Sequence, residues 1–366
     1  MDELEQEMDG LGRIFLVSPR RYGKTCLLFN FLDRLREKGM AAAYIDLNAY
    51  PDLPGLAAGA TQAFSRALET DVDKLLKVFS GMRRLRPRVS LDPDGGISAG
   101  LELASGRGDA LQALMEGLGQ AESLAVRKKR KLVVIIDEFS DIEKYDGETV
   151  EKALRSEIQK QERVGYIFAG SEQSVMLSMV NDRQRAFYKL GRIMALGPIP
   201  REDYVAFMQG WLKKGRVKAD REQLVRVLEL GNDIPYNVQR LCHNLWEAVC
   251  TMGGRVTAER IEALPQAIAR QDSPHYELIW RGITPPQRLL LMALKSEKDA
   301  KPFSREFQLR HGIGPSSSIK ASLDSLLRKG ILLQEPGGPY RFADTFFPCW
   351  IDYIGALSGG AVAGSG

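Results

Sequence analysis

Hydrophobic and polar positions follow two rhythms in this chain, and the change comes near residue 200. Before it, short apolar runs without polar alternation recur: Ile14–Val17, Ala41–Leu47, Leu132–Ile136, Val164–Ala169 and Ile193–Leu196. Runs of this length, bounded by turn residues, predict strands buried on both faces. Between them the spacing turns helical. Leu27, Leu28, Phe31, Leu32 and Leu35 form one stripe in Cys26–Lys38, which Gly39 ends; Leu56–Phe79, Ala110–Val126 and Glu148–Glu162 read as further helices. The acidic opening, Met1–Leu11, reads as a short helix leading into a first strand, Arg13–Val17. One excursion breaks the alternation. Arg88–Asp92 and Ile97–Leu103 flank Pro93-Asp94-Gly95-Gly96 and predict a β-hairpin, preceded by Arg83, Arg84 and Arg86. It suits a contact with DNA or another subunit, or a solvated insertion.

Beyond residue 200 the pattern is helical. Arg201–Lys213, Asp220–Leu230, Tyr236–Met252 and Thr257–Ala269 each carry an apolar stripe, and Gly231-Asn232-Asp233-Ile234-Pro235 separates the second from the third. We read this stretch as a small helical lid. Then Pro286–Lys295, Ser304–Arg310 and Pro315–Lys329 precede two short apolar runs, Ile331–Gln334 and Tyr340–Phe342, joined through Pro336-Gly337-Gly338-Pro339. Three helices and a hairpin predict a winged helix-turn-helix. The fold class is thus α/β with helical and winged-helix additions. The expected boundaries are 1–199 for the α/β core, 200–272 for the lid, 273–352 for the winged helix and 353–366 for a flexible Gly/Ala/Ser-rich tail.

Composition sharpens this only in places. With 366 residues, 44% hydrophobic and 27% charged, the chain has the make-up of a soluble protein of two or three domains. A net charge of +4 does not by itself imply nucleic acid. Gly282–Trp350 holds ten Lys and Arg against six Asp and Glu, and its third helix starts with Ser316, Ser317, Ser318 and Lys320. That helix would enter a DNA major groove if the unit binds DNA, and contact with protein stays open beside it. Cys26, Cys242, Cys250 and Cys349 lack metal-type spacing, so neither a zinc site nor a disulfide framework is expected. No apolar run reaches about 18 residues and no signal peptide opens the chain, so the expected location is cytoplasmic, with no membrane partner.

The chemistry concentrates in two motifs. Ser18-Pro19-Arg20-Arg21-Tyr22-Gly23-Lys24-Thr25 lies between the first apolar run and the first helix. Strand, tight loop ending Gly-Lys-Thr and helix is the setting of a phosphate-binding P-loop. The loop and first helical turn, Pro19 to Cys26, form the candidate nucleotide site, and their backbone N–H groups, from Arg20 onward, converge on phosphate oxygens. Gly23 permits close backbone approach, Lys24 reaches the β- and γ-phosphates, and the Thr25 hydroxyl ligates Mg²⁺. Ser18 stands where the motif usually has its first glycine. A serine fits there if its φ is negative.

The second motif is Leu132–Ile136 followed by Asp137-Glu138, a Walker B arrangement. Asp137 at the strand's carboxyl end is the expected Mg²⁺ partner, and Glu138 is placed to orient and deprotonate an attacking water. A carboxylate beside the Walker B aspartate points to an ATPase rather than a GTPase or a small-molecule kinase. Ser171, after the strand ending at Gly170, is a candidate γ-phosphate sensor or a helix cap. Arg192, ahead of the fifth strand, is a candidate arginine finger toward a neighbouring subunit or a surface arginine. Gly231 and Pro235 are expected to bring the start of the following helix, which carries Arg240 and His243, near the nucleotide.

These residues carry a resemblance. Pro19–Thr25, Ile135-Ile136-Asp137-Glu138-Phe139, Phe168-Ala169-Gly170-Ser171, Tyr188-Lys189-Leu190-Gly191-Arg192, Gly231 with Pro235, and a terminal winged helix with Phe342-Ala343-Asp344 and Trp350 occur in that order. Over about residues 11 to 352 the chain resembles an archaeal and bacterial P-loop ATPase family related to the STAND and AAA+ NTPases. Origin-recognition replication initiators are its more distant relatives. The resemblance implies a parallel five-stranded core with the sensor strand between the P-loop and Walker B strands, a helical lid and a winged helix. It also implies that Lys24 and Thr25 bind phosphate and Mg²⁺, Asp137 assists the ion, and Glu138 is catalytic. The acidic segment with an Arg-Glu pair that often contacts adenine is reduced here to Met1–Leu11.

The expectation is an ATPase that binds ATP or ADP with Mg²⁺ and works as a nucleotide-dependent switch. Its turnover is expected to be slow or partner-stimulated. It is expected to act on double-stranded DNA; the alternative is a signalling or assembly switch whose winged helix contacts protein, and assembly with further copies of the chain stays open.

Overall fold

Five apolar runs pair side by side into one parallel sheet. The computed structural model describes residues 1–68, 85–91, 97–103, 107–251, 255–297, 299–334 and 338–360. The strands are β1 (Arg13–Val17), β2 (Ala41–Asp46), β5 (Leu132–Asp137), β6 (Val164–Gly170) and β7 (Arg192–Ala195). Their order is β2-β5-β6-β1-β7, all parallel. The expected five-stranded core is present, with β6 between the P-loop strand and the Walker B strand. β3 (Leu85–Leu91) and β4 (Ile97–Leu103) form the separate antiparallel hairpin. Its connecting turn, Asp92 to Gly96, and Arg83 and Arg84 lie outside the described residues.

Both faces of the sheet are covered, which explains why its central strands carry no polar alternation. On one face α3 (Leu53–Ala67), α4 (Arg107–Lys128), α5 (Gly147–Ile158) and α6 (Gln173–Asn181) pack on Phe15, Val134, Ile136 and Phe168. On the other, α1 (Asp2–Asp9) and α2 (Lys24–Glu37) pack on Ile14, Leu16, Val133 and Ile135. Leu28, Phe31, Leu32 and Leu35 are the buried stripe of α2, as their spacing predicts. The helix expected over Leu56–Phe79 starts earlier, at Leu53, because Asp52 caps it through the Gly55 N–H and Pro54 suits its first turn. Its described part ends at Ala67, and residues 69–79 lie outside the described residues.

The chain divides into two units, Met1–Gly197 and Pro198–Gly366. The second begins with α7 (Arg201–Lys214), α8 (Arg221–Leu230), α9 (Pro235–Trp246) and α10 (Ala258–Gln271). Glu247–Thr251 widens into a π-turn, so the helix expected over Tyr236–Met252 loses its α form after Trp246. A short helix not foreseen, α11 (Ser273–Arg281), leads into α12 (Pro285–Ser296), α13 (Arg305–His311) and α14 (Ser316–Arg328). The wing is β8 (Leu332–Gln334) paired antiparallel with β9 (Tyr340–Phe342). α15 (Phe347–Gly360) closes the described chain.

The expectation of a flexible tail from 353 is corrected at this point. Residues 353–360 continue α15, because Trp350 and Ile351 are buried and Tyr353 and Ile354 pack on the same core. Residues 361–366 lie outside the described residues. One hydrophobic cluster runs from Val205 through Leu241 and Tyr276 to Leu323 and Trp350, so the helical part and the winged helix share a core.

Trp350 anchors that core. Its ring stacks on Phe347 at 5.8 Å, meets Tyr276 at 5.9 Å, and its indole N–H donates to Ser273 Oγ at 2.8 Å. Trp350→Ala is expected to cost about 3–5 kcal/mol, from lost burial plus a cavity. Chemical denaturation followed by circular dichroism checks it, and a loss below about 1 kcal/mol would show that the site collapses to fill the space.

Candidate active site

The carboxyl ends of β1, β5 and β6 bring the two motifs together. β1 ends at Val17, and Ser18 continues its ladder, its N–H donating to Gly170 O at 3.2 Å. Ser18 is fully buried and has negative φ, so a serine is accommodated where the motif usually has glycine. Gly23, the N-cap of α2, has φ 84° and ψ 17°, a left-handed conformation that disfavours a side chain. α2 then starts at Lys24 with no acidic residue in its first turn, leaving the positive end of the helix unneutralised.

Lys24 is buried and crosses to the Walker B strand. Its ammonium contacts Asp137 Oδ1 and reaches Glu138 Oε1 at 3.1 Å. Thr25 Oγ1 donates to Asp137 Oδ2 at 3.3 Å. Asp137 is itself 2% exposed, and the Glu138 backbone N–H donates to its Oδ1 at 2.9 Å. Ser171 Oγ donates to Glu138 Oε2 at 3.0 Å. Lys24, Thr25, Asp137, Glu138 and Ser171 therefore form one connected cluster. Thr25 Oγ1 and Asp137 Oδ2 offer two hard oxygen donors side by side, a set that fits Mg²⁺ completed by water and phosphate oxygens. Among the described residues no group of three His, Cys, Asp or Glu side chains could hold a metal by itself.

Glu138 has φ 51° and ψ 44°, an uncommon conformation for a residue with a long side chain. The backbone folds sharply there into a 3₁₀ turn, Phe139–Tyr145, whose first residue drops into the core. Phe139 packs among Phe15, Phe168 and Phe187 at centroid distances of 6.5, 4.7 and 5.4 Å.

The remaining expected site residues are placed as follows. Pro19 is half-buried and Arg21 has φ 70°, so the loop bends before Gly23. Arg20 is exposed and lies 3.6 Å from Glu172 across the loop mouth. Tyr22 is half-buried, and Cys26 is exposed in the first turn of α2. Pro235 starts α9 in the second unit. Gly231 is needed just before it, since a Cβ there would sit 2.7 Å from Val238 Cγ2 and 3.1 Å from the Val238 nitrogen. Arg240 makes a two-point pair with Asp272 at 2.7 and 2.9 Å and so serves the core of its own unit.

Arg192, the candidate finger or surface arginine, is the first residue of the edge strand β7. It lies at the sheet edge, but opposite Ile14, at the amino ends of the strands and away from the chain's own loop. There it pairs with Glu3 and, at 2.8 Å, with Glu7, two acids of α1. The acidic opening helix supplies the partners, and Arg192 fastens that helix to the sheet.

Tyr44 is a site residue that the motifs do not contain. Its hydroxyl donates to Asp137 Oδ2 at 2.9 Å, and Phe29 of α2 packs on its ring at 4.9 Å. Burial, followed by the charge of Asp137, pushes its hydroxyl well above the usual tyrosine range, so it stays a donor. The sequence carries no signal for it: Tyr44 becomes a site residue only through the register in which β2 pairs with β5.

A family model described as a probable winged helix domain matches residues 274–353. No curated protein sequence matches the chain. Solved structures similar over nearly the whole chain include a Walker-type ATPase of Pyrococcus abyssi, at 15% identity and TM-score 0.58, covering 96% of this chain and 94% of that one. The ORC2 protein of Aeropyrum pernix in ADPNP–ADP complexes is similar at 13% identity and TM-score 0.52, with 97% and 92% coverage. The ORC1 protein of the same organism in complex with DNA is similar at 14% identity and TM-score 0.50, with 97% and 93% coverage. The chain has the fold of a P-loop ATPase core followed by a winged helix.

Two outcomes test this geometry. Lys24→Met leaves Asp137 buried without its cation and is expected to cost about 3 kcal/mol of stability. Combined with Asp137→Leu it should cost clearly less than the sum of the single changes, in urea melts of all three variants. Gly23→Ala forces a methyl group into a left-handed position and is expected to cost about 1–2 kcal/mol, read as a lowered melting temperature.

Proposed function

We propose that this protein binds and hydrolyses ATP and uses the nucleotide cycle as a conformational switch. The observation that carries the reading is the convergence of Lys24, Thr25, Asp137, Glu138 and Ser171 at the carboxyl ends of three adjacent strands. The loop N–H groups and Lys24 would hold the β- and γ-phosphates, with Lys24 leaving its carboxylate partners for phosphate. Thr25 and Asp137 would hold Mg²⁺, which supplies charge neutralisation at the phosphate oxygens. Glu138 would orient an attacking water and take its proton, and Ser171 would keep that carboxylate aimed. Lys24 and Asp137 are buried, which strengthens the charge interactions they make.

The partner is the second part of the proposal. We favour double-stranded DNA, because the matched winged helix can offer α14 to a major groove and the β3–β4 hairpin carries Arg86 and Arg88. A protein partner is the competing reading, and particular observations support it. The exposed positions of α14 include Ser316, Ser317, Lys320, Asp324 and Arg328, which is little positive charge for phosphates. Leu309 on α13 is 74% exposed and Phe303, just before it, 47%. No helix among the described residues is long and apolar enough to cross a membrane.

The test is ATP turnover by the purified chain, with and without duplex DNA, at low and moderate salt. Glu138→Gln is expected to lower turnover by about a hundredfold or more while nucleotide still binds. Wild-type turnover by that variant would remove Glu138 from its role. EDTA should stop hydrolysis. Stimulation by DNA that falls steeply with salt, and weakens when Arg83 and Arg84 are neutralised, supports the DNA reading. Nucleotide binding with no DNA response moves the assignment to a protein partner.

A further inference from the structure

Asp137 is held by four donors, and one of them stands apart from the phosphate-binding motifs. Lys24 and the Glu138 N–H address Oδ1, while Thr25 and Tyr44 address Oδ2. On the proposed reading, two of the four change partners when nucleotide arrives: Lys24 goes to phosphate and Thr25 to the metal. The Glu138 N–H belongs to the adjacent residue and holds only Oδ1. Tyr44 is therefore the one side-chain donor, among the described residues, that can keep Asp137 in place throughout.

The fold makes Tyr44 suited to this. β2 and β5 pair in register with Tyr44 opposite Ile135, so the tyrosine shares a sheet face with Ile135 and, two residues on, Asp137. Phe29 lies one helical turn beyond Thr25 on α2 and packs against the Tyr44 ring. The ring is thus braced by the same helix that presents Thr25. The hydroxyl is the donor and the carboxylate oxygen the acceptor.

We propose that Tyr44 is a positioning residue for the metal-holding carboxylate: it fixes Asp137 Oδ2 beside Thr25 Oγ1 while Lys24 exchanges Asp137 for phosphate. The proposal rests on the ATPase reading and deepens it. Without the hydroxyl, Asp137 is free to turn with Lys24, and the paired oxygens that Mg²⁺ needs are lost. Nucleotide binding without metal depends on the loop and Lys24 and should be spared.

Tyr44→Phe keeps the ring and its packing and removes one oxygen. Three readouts are needed on the purified full chain: binding of a fluorescent ATP analogue in EDTA, the same binding during a Mg²⁺ titration, and hydrolysis against Mg²⁺ concentration. Metal-free binding is expected within about twofold of wild type. The Mg²⁺ concentration for half-maximal effect is expected to rise about tenfold in both titrations, the size usual for loss of a group that orients a metal ligand. Turnover at saturating Mg²⁺ should be much less affected.

An unchanged Mg²⁺ dependence, or a loss shared equally by metal-free binding, overturns the proposal. Phe29→Ala is the second variant. It keeps the hydroxyl but loosens the ring, and should give a smaller shift in the same Mg²⁺ constant. If Tyr44→Phe fails to fold, a normal Mg²⁺ constant in Phe29→Ala overturns the proposal instead. A wild-type chain that binds no nucleotide would defeat the ATPase reading itself. Nucleotide binding with an unshifted Tyr44→Phe defeats only the role of Tyr44.

Discussion

A carboxylate set into the end of an apolar strand has to be neutralised, and the core unit is arranged around that requirement. All six residues of β5 are buried, Asp137 included. An uncompensated charge there would cost several kcal/mol. Its cation comes from the far side of β6, because the order β5-β6-β1 separates the two motif strands by a third. Neighbouring strands lie about 4.8 Å apart, so the partner must span roughly 10 Å. A long side chain starting from a loop above β1 meets that span, which is why the turn at Gly23 and the direction of α2 matter as much as the lysine itself.

The second unit answers a different constraint. Neither a four-helix segment nor a small winged helix has much interior alone. Here one apolar cluster serves both. Polar contacts reinforce the sharing: Asn237 and Asn232 donate to Thr345 Oγ1 at 2.9 and 3.1 Å, and Tyr276 donates to Asp344 Oδ1 at 2.9 Å. The residues around the Gly231–Pro235 turn are therefore tied to the segment that follows the wing. Motion of this turn would carry the winged helix with it, since a packed interior transmits displacement rather than absorbing it.

The sequence made the sheet legible because its central strands are buried on both faces and read as unbroken apolar runs. The two phosphate motifs were legible because Gly23, Lys24, Asp137 and Glu138 sit at fixed offsets from those runs. Other features were hidden for physical reasons. Tyr44 looks like any strand aromatic until pairing with β5 places it beside Asp137. The contacts of Arg192 were hidden because its partners Glu3 and Glu7 are almost the whole core unit away in sequence. The last helix was masked by its composition: Gly355, Gly359 and Gly360 suggest a tail, while Trp350 and Ile351 hold the helix to the core.

The backbone at Glu138 has a meaning beyond the geometry of the turn. A left-handed φ of 51° on a residue with a long side chain costs about 1–3 kcal/mol. Glycine would relieve that strain, and asparagine would lessen it. A chain selected for durability alone would favour such residues there. Instead the core unit carries a carboxylate at its most awkward corner, held by Lys24 and Ser171 from either side. On the proposed reading of Glu138, conformational ease and chemical utility pull this position in opposite directions, and the residue present is the one that chemistry would choose.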